Sequence, residues 1–367
     1  MTNLSRFGVF FLAAALALFP LSAVQGAGST FPDVEGHWAE AETMYLENAG
    51  VVSGLPDGTF GVNETITRAQ AATLIANEQG LTGEPAPYPD VSPGHWANEY
   101  IGAITAAGVM SGFPDGNFYP DEVLTRAEAA TILVNAYQFS GTTQSPTFSD
   151  VAGDHWAFAA IETLVANYIA AGYPDGTFKP QANVTRGEFA VFVARALNPV
   201  FTEQVELLSM TAVIMEILQD EDMDAFQDYV HPAEGVRFSP YNYVENDHLV
   251  FNAGDIPNLL ADPTVYTWGI EDGTGFPLEK TAQEYFDRYV NRKDYSNPDE
   301  IHYNTIIQRG SLLYNITDFY PDASFVEYFV EGTAQYGGMD WGSLFVVYEE
   351  YQGDWYVVGI VNAEWTI

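Results

Sequence analysis

The chain is 367 residues long, enough for two or three domains, and 47% of it is apolar, enough to fill their cores. Twelve Lys and Arg stand against 50 Asp and Glu, a formal net charge of −38; nucleic acid and an anionic bilayer surface are excluded as expected partners, because both need clustered cations. There is no cysteine, which excludes disulfides, a lipid-modified N-terminal Cys, a thiolate metal site and a Cys nucleophile.

Residues 1–26 read as a secretory signal peptide. Arg6 is its one charge, Val9 to Leu18 its apolar run and Pro20 a breaker. Val24 and Gly26 suit positions −3 and −1, so the mature chain is expected to start near Ala27. The run is short of the roughly 20 residues a membrane span needs, so no membrane contact is expected after its removal. A secreted protein from a saline or alkaline setting fits the charge, as does the general acidity of extracellular proteins.

A pattern then occurs three times. FPDVEGHWA begins at Phe31, YPDVSPGHWA at Tyr88 and FSDVAGDHWA at Phe148. Each is followed by a second block: GLPDGTFGVNETITRAQ from Gly54, GFPDGNFYPDEVLTRAE from Gly112 and GYPDGTFKPQANVTRGE from Gly172. The Pro-Asp-Gly supplies a turn. Thr67 with Gln70, Thr125 with Glu128 and Thr185 with Glu188 are capping boxes that start a helix. A first helix is expected from about His37 to Ala49 in the first copy, with Trp38 on its inner side. Linkers 79–87 and 138–147, rich in Gly, Pro or Ser, divide the copies. This places repeat one at 27–87, repeat two at 88–147 and repeat three at 148–198. Units of this length must stack on neighbours to bury a core.

Four motifs, the aromatic-x-Asp-Val start, the His-Trp-Ala, the Gly-x-Pro-Asp-Gly-x-Phe turn and the Thr-Arg-Ala-Glu box, in this order and three times over, resemble the S-layer homology domain across roughly Phe31 to Leu197. The resemblance implies a mainly helical, three-lobed module that holds a secreted protein on the bacterial cell wall, an S-layer or other cell-surface location. Its implied partner is a secondary cell-wall polysaccharide, often ending in a pyruvylated sugar; other S-layer or surface proteins are further partners it allows. It also implies that the box Arg and the first-helix Trp line grooves between lobes.

The residues themselves allow further readings beside that resemblance. Between Phe31 and Leu197 the only cations are Arg68, Arg126, Lys179, Arg186 and Arg195, and three of the five occupy the same place in the box. An Arg at a helix N-terminus opposes the dipole, so a grip on a carboxylate, aided by helix N–H groups, is one reading; pairing with a neighbouring lobe's acid is the other. Trp38, Trp96 and Trp156 are core residues or sugar platforms. His37, His95 and His155 have no partners at metal spacing, so a hydrogen bond at the helix start is expected and no metal. Asp33, Asp90 and Asp150 are expected to cap that helix start, with sugar hydroxyls as a second partner. The copies also differ: Gln70 replaces Glu, Val62 replaces Pro, and Gly187 replaces Ala.

From Pro199 to Ile367 a different domain is expected. Phe201–Leu218 and Met223–Val230 have helical periodicity, as does Thr281–Val290, whereas Ser324–Glu331, Gly342–Glu350 and Trp355–Trp365 are strands rich in Val, Tyr and Phe. Helices first and an antiparallel meander last give an α+β class, with a cystatin-like or nuclear-transport-factor-2-like sheet wrapped round a helix as the analogy. No nucleophile elbow, metal motif or acid–base pair stands out; neither catalytic residues nor a cofactor are expected. His231, Arg237, Tyr241 and Tyr243 form the one candidate pocket. The expected function is therefore non-covalent wall anchoring that displays a binding or structural domain. A wall-anchored hydrolase, with its active site in the second domain, is the alternative; a link between outer membrane and peptidoglycan is disfavoured, because residues after Leu197 are too few for a large barrel.

Overall fold

Each repeat folds as helix, turn and helix. In a computed structural model, residues 31–141, 147–173, 175–309 and 312–365 are described; the expected signal peptide and part of the 138–147 linker lie outside them. The first repeat holds α1 (Glu40–Asn48) and α2 (Arg68–Glu78), the second α3 (Asn98–Ala106) and α4 (Arg126–Tyr137), the third α5 (Phe158–Ala166) and α6 (Arg186–Leu197). The helices α2, α4 and α6 start where the sequence says. Thr67, Thr125 and Thr185 are extended N-caps whose hydroxyls accept from N3. α1 starts at Glu40 rather than His37, because the His-Trp-Ala stretch forms turns that lead into it.

Helix pairing crosses from repeat to repeat. α2 packs on α3, α4 on α5, and α6 back on α1. Each lobe therefore joins the second helix of one copy to the first of the next, and the third copy closes on the first. At the centre three backbone groups form a triangle: Ile66 N–H donates to Val184 O (3.0 Å), Val184 N–H to Leu124 O (2.9 Å) and Leu124 N–H to Ile66 O (3.0 Å). The core of Ala69, Ile75, Ala127, Leu133, Ala190 and Val193 lies around it.

The chain divides into two compact units between Glu206 and Leu207, inside α7 (Pro199–Gln219). The second holds a six-stranded sheet in the order β2 (Val250–Phe251), β1 (Val236–Ser239), β8 (Asp354–Glu364), β7 (Gly342–Tyr351), β6 (Ser324–Val330), β5 (Glu300–Tyr303). The meander β6–β7–β8 is antiparallel, as its sequence suggests. The sheet as a whole is mixed, which corrects the antiparallel expectation: β1 runs parallel to β8, Arg237–Ser239 beside Gly359–Val361. A separate hairpin joins β3 (Tyr266–Ile270) to β4 (Pro277–Lys280). Leu207, Ile214, Met215 and Leu218 of α7 share one core with Val326, Val346 and Ile360 of the sheet. The 223–230 segment is α8 (Met223–Phe226) followed by a 3₁₀ turn, and the 281–290 helix is α9 (Ala282–Tyr285) followed by a wider π-type turn.

Candidate functional site

The three aspartates do not cap the helix start. They reach 27 to 29 residues ahead and clamp the turn after Pro-Asp-Gly. Asp33 accepts from the N–H groups of Phe60 (2.7 Å), Gly61 (2.8 Å) and Val62 (2.9 Å). Asp90 holds Phe118 (2.9 Å) and Tyr119 (2.6 Å), and Asp150 holds Phe178 and Lys179 (both 2.8 Å). The middle residue of each turn, Gly61, Tyr119 or Lys179, has φ between 56° and 73°. That region is strained for Tyr and Lys, and the carboxylate holds it. Burial works against ionisation of Asp33, but donation from Val62, Phe60 and Gly61 outweighs it and sets the carboxyl below its ordinary value.

The box arginines reach round the ring. Arg68 Nε donates to Phe118 O (2.8 Å) and Nη2 to Ser111 O (2.9 Å) of the second repeat. Arg126 does the same with Phe178 O (2.8 Å) and Ala171 O (2.9 Å) of the third. Arg186 closes the circle on Phe60 O (2.8 Å) and, at 3.4 Å, Ser53 O of the first. Each guanidinium also lies over an aromatic ring: Phe118, Phe178 or Phe60. Arg68 and Arg126 are both 5% exposed, and their Nη1 atoms face Glu128 (3.6 Å) and Glu188 (3.4 Å). The first turn of each of these helices is therefore an interface, and the arginine faces the next copy. Nor are the helix N–H groups open to a ligand. Those of Arg68 and Ala69 donate to Glu122 O and Pro120 O, those of Arg126 and Ala127 to Ala182 O and Pro180 O, and those of Arg186 and Gly187 to Glu64 O and Val62 O.

The tryptophans take the opposite position. Trp96 is 59% and Trp156 62% exposed, whereas Trp38 is half-buried against the helical core. Each has its His as a fixed neighbour. The His95–Trp96 and His155–Trp156 rings stack at 5.7 Å, and His37–Trp38 lie tilted at 5.4 Å. The Nδ1 atoms accept from the N–H of Ala39, Ala97 and Ala157 at 3.1 to 3.2 Å, the hydrogen bond expected of them at the helix start. In the second repeat Phe113 and Tyr119 are exposed too and meet edge to face at 5.4 Å. Exposed rings held rigidly from below suit the apolar face of a pyranose.

In the second unit the four candidate residues have separate partners. His231 is buried against Tyr351 and Tyr356, its Nδ1 accepting from Ala233 and Glu234 N–H. Arg237 donates to the carbonyls of Glu245, Asn246 and His248 and lies over Phe319. Tyr241 meets Tyr289, and Tyr243 is exposed. The structure assembles two other clusters that no sequence motif marks. Ser239 Oγ lies 2.9 Å from His248 Nδ1; burial drives that imidazole down to about 4, Asp247 opposing and Arg237 assisting. Across the sheet, fully buried Glu327 meets Arg309 and Ser343 Oγ (2.5 Å), with Oε2 left unpartnered among the described residues. Its burial raises the carboxyl, against Ser343, Arg309 and His302.

A closed ring of helix pairs, carrying a His-Trp pair in each copy that is exposed in the second and third, defines a tandem-repeat module. The S-layer homology domain model matches residues 30–72, 87–130 and 147–190, so the chain carries three S-layer homology domains and is a cell-surface protein. It is similar to S-layer protein EA1 of Bacillus anthracis, 36% identical over 189 residues that cover 50% of this chain and 22% of that protein. It is also similar to a cellulosome-anchoring protein of Acetivibrio thermocellus, 34% identical over 218 residues, 56% of this chain and 46% of that one. An uncharacterized cell wall amidase of Bacillus anthracis is 39% identical over 171 residues, 45% of this chain and 32% of the relative. The matched stretches thus span less than half of these relatives.

Proposed function

We propose that the three repeats anchor the chain non-covalently to the bacterial cell wall by binding an anionic, pyruvylated secondary wall polysaccharide, and that residues 199–367 are the displayed part. The exposed, His-backed Trp96 and Trp156 carry this reading, since large rings are left mostly uncovered among the described residues. The surface and anchoring relatives support it. Within the second unit, α7 sharing a core with the sheet supports the cystatin-like or nuclear-transport-factor-2-like analogy. The test is co-sedimentation of the mature chain with purified walls, with and without their non-peptidoglycan polymer. Pelleting that needs the polymer, and that is lost in Trp96→Ala/Trp156→Ala without a change in the unfolding midpoint, is the expected outcome. Pelleting of this variant at the wild-type level would refute the assignment.

A wall-anchored hydrolase is the second reading. It is favoured by Glu327, a buried carboxyl raised by desolvation with one free oxygen and His302 as its cross-strand neighbour, and by the relative named an amidase. Release of new amino groups or reducing ends from walls, abolished in Glu327→Gln, would establish it; no release from either protein rejects it.

A further inference from the structure

The hairpin β3–β4 of the second unit has one face buried and one face bare. On the inner face Trp268 stacks on Tyr285 at 3.9 Å and meets Phe238 and Phe251, and Leu278 is buried in the same core. The pairs Thr267–Glu279 and Ile270–Pro277, kept in step by a bulge, put these four residues on the opposite face, and alternation adds Val265. All five are exposed. So is Phe276 beside them: Phe276 is 68%, Val265 61% and Ile270 52% exposed. Single exposed apolar side chains are ordinary, but three on the bare face of one hairpin mark a contact surface. The face is also preformed. Across its turn Glu271 N–H donates to Phe276 O (2.8 Å) and Gly275 N–H to Glu271 O (3.0 Å), and Tyr241 Oη accepts the Asp272 N–H (3.2 Å).

Charge says what kind of partner fits. Residues 238–279 contain seven acids and no Lys or Arg. The cations that follow are held elsewhere in the unit: Arg288 and Arg292 on Glu364, Lys293 on Asp340, Arg309 on Glu300 and Glu327. Among the described residues none of the seven acids lies within 4.0 Å of a Lys or Arg. Glu271 and Asp272 in the turn and Glu279 on the face thus border the apolar patch without a cation. A second copy of the chain would bring more carboxylates to this place and be repelled; a cationic segment would be drawn to it.

We infer that the bare face of β3–β4 docks a cationic amphipathic helix of another protein. Its apolar stripe lies on Val265, Ile270 and Phe276, and its Lys and Arg stand beside Glu271, Asp272 and Glu279. A sheet face is the surface that a helix covers, and the stretch from Val265 to Ile270, about 13 Å along the strand, matches about nine helical residues. This gives the second unit a partner and does not depend on how the repeats hold the wall.

The experiment is calorimetric titration of the mature chain, in about 0.15 M salt, with a 14-residue amphipathic helical peptide of Leu and Lys, and with its counterpart carrying Glu for Lys. The variant Ile270→Ser/Phe276→Ser removes the patch and keeps every charge; both side chains are exposed, so its unfolding midpoint should match the parent's. The Lys peptide is expected to bind the parent at one site, at least about tenfold more weakly in the variant, and the Glu peptide not at all. Equal binding to parent and variant would mean general attraction to an acidic chain and overturns the proposal, as does no binding of the Lys peptide. A parent that dimerises in sedimentation where the variant does not assigns the face to a second copy and overturns it too. Wall pelleting should be the same in both proteins, so failure here leaves the anchoring reading standing.

Discussion

Val62 and Gly187 are two of the three places where the first and third repeats leave the common pattern, and they touch. Gly187 N–H donates to Val62 O at 3.0 Å, where the sister copies set Ala69 on Pro120 and Ala127 on Pro180. A Cβ on Gly187 would lie 2.8 Å from both Val62 O and Val62 Cγ2. Helix propensity alone favours Ala here by up to ~1 kcal/mol, but packing reverses the sign. Gly187→Ala is expected to lower stability by about 1–3 kcal/mol in urea unfolding. Adding Val62→Pro restores the sister pairing at the loss of one Asp33 hydrogen bond, so the double variant should fall short of the summed losses by at least about 0.5 kcal/mol. Strict additivity would show that the two positions are unrelated. Asp33 allows a second test at this scale. Its folded carboxyl lies below the unfolded value, so its contribution is complete above about pH 4 and disappears as pH falls through the folded value. In Asp33→Asn the first unit should be less stable at pH 6 and should lose less on going to pH 2; parallel curves for parent and variant would contradict this.

At the scale of elements, what the sequence revealed was local. Thr125 and Glu128 sit three residues apart and meet within one helical turn, so the capping boxes and α2, α4 and α6 could be read directly. The long Val- and Tyr-rich strands β6, β7 and β8 were equally plain. Local reading places Asp90 at the helix start because its true partners, Phe118 and Tyr119, lie 28 and 29 residues away. The burial of Arg68 escaped notice because its partners belong to the next copy, and nothing local says which copies meet. β1 is four residues long with Arg in it, and β2 only two residues; neither alternates long enough to announce a strand. The buried His248 came from the same irregular stretch. It ties β1 through Ser239 to β3, where its ring lies against Gly269. Its folded value of about 4 lies below the ordinary value of about 6.5. The stability it contributes is therefore complete above pH 6.5 and is lost progressively as pH falls toward 4. The urea midpoint followed on β1 and β8 amide NMR signals should drop between pH 7 and 4.5, and His248→Gln should flatten that drop; an equal drop in the variant would place the acid-sensitive group elsewhere.

At the scale of the molecule, the question is what a closed ring demands that a stack of repeats does not. In a stack, each copy meets its neighbours in sequence and a shortened array keeps most of its contacts. Here the last copy meets the first. Removing the third repeat takes α6 from α1 and α5 from α4, leaves Arg126 without Phe178 O and Ala171 O, and opens two of the three central backbone bonds through Val184. Buried donors without acceptors are costly, and two of the three lobes would be left half-built. A fragment of residues 27–147 is accordingly expected to show no cooperative urea transition, and a separate fragment of residues 148–206 should restore one on mixing at equal concentration. Cooperative unfolding of the shorter fragment alone, with native amide protection in α1 and α4, would mean that the ring's closure is not what holds its lobes. If the fragments do fold only together, any surface built between the third and first repeats exists solely in the closed ring, and a chain truncated within the repeats would lose wall attachment even with Trp38 and Trp96 present.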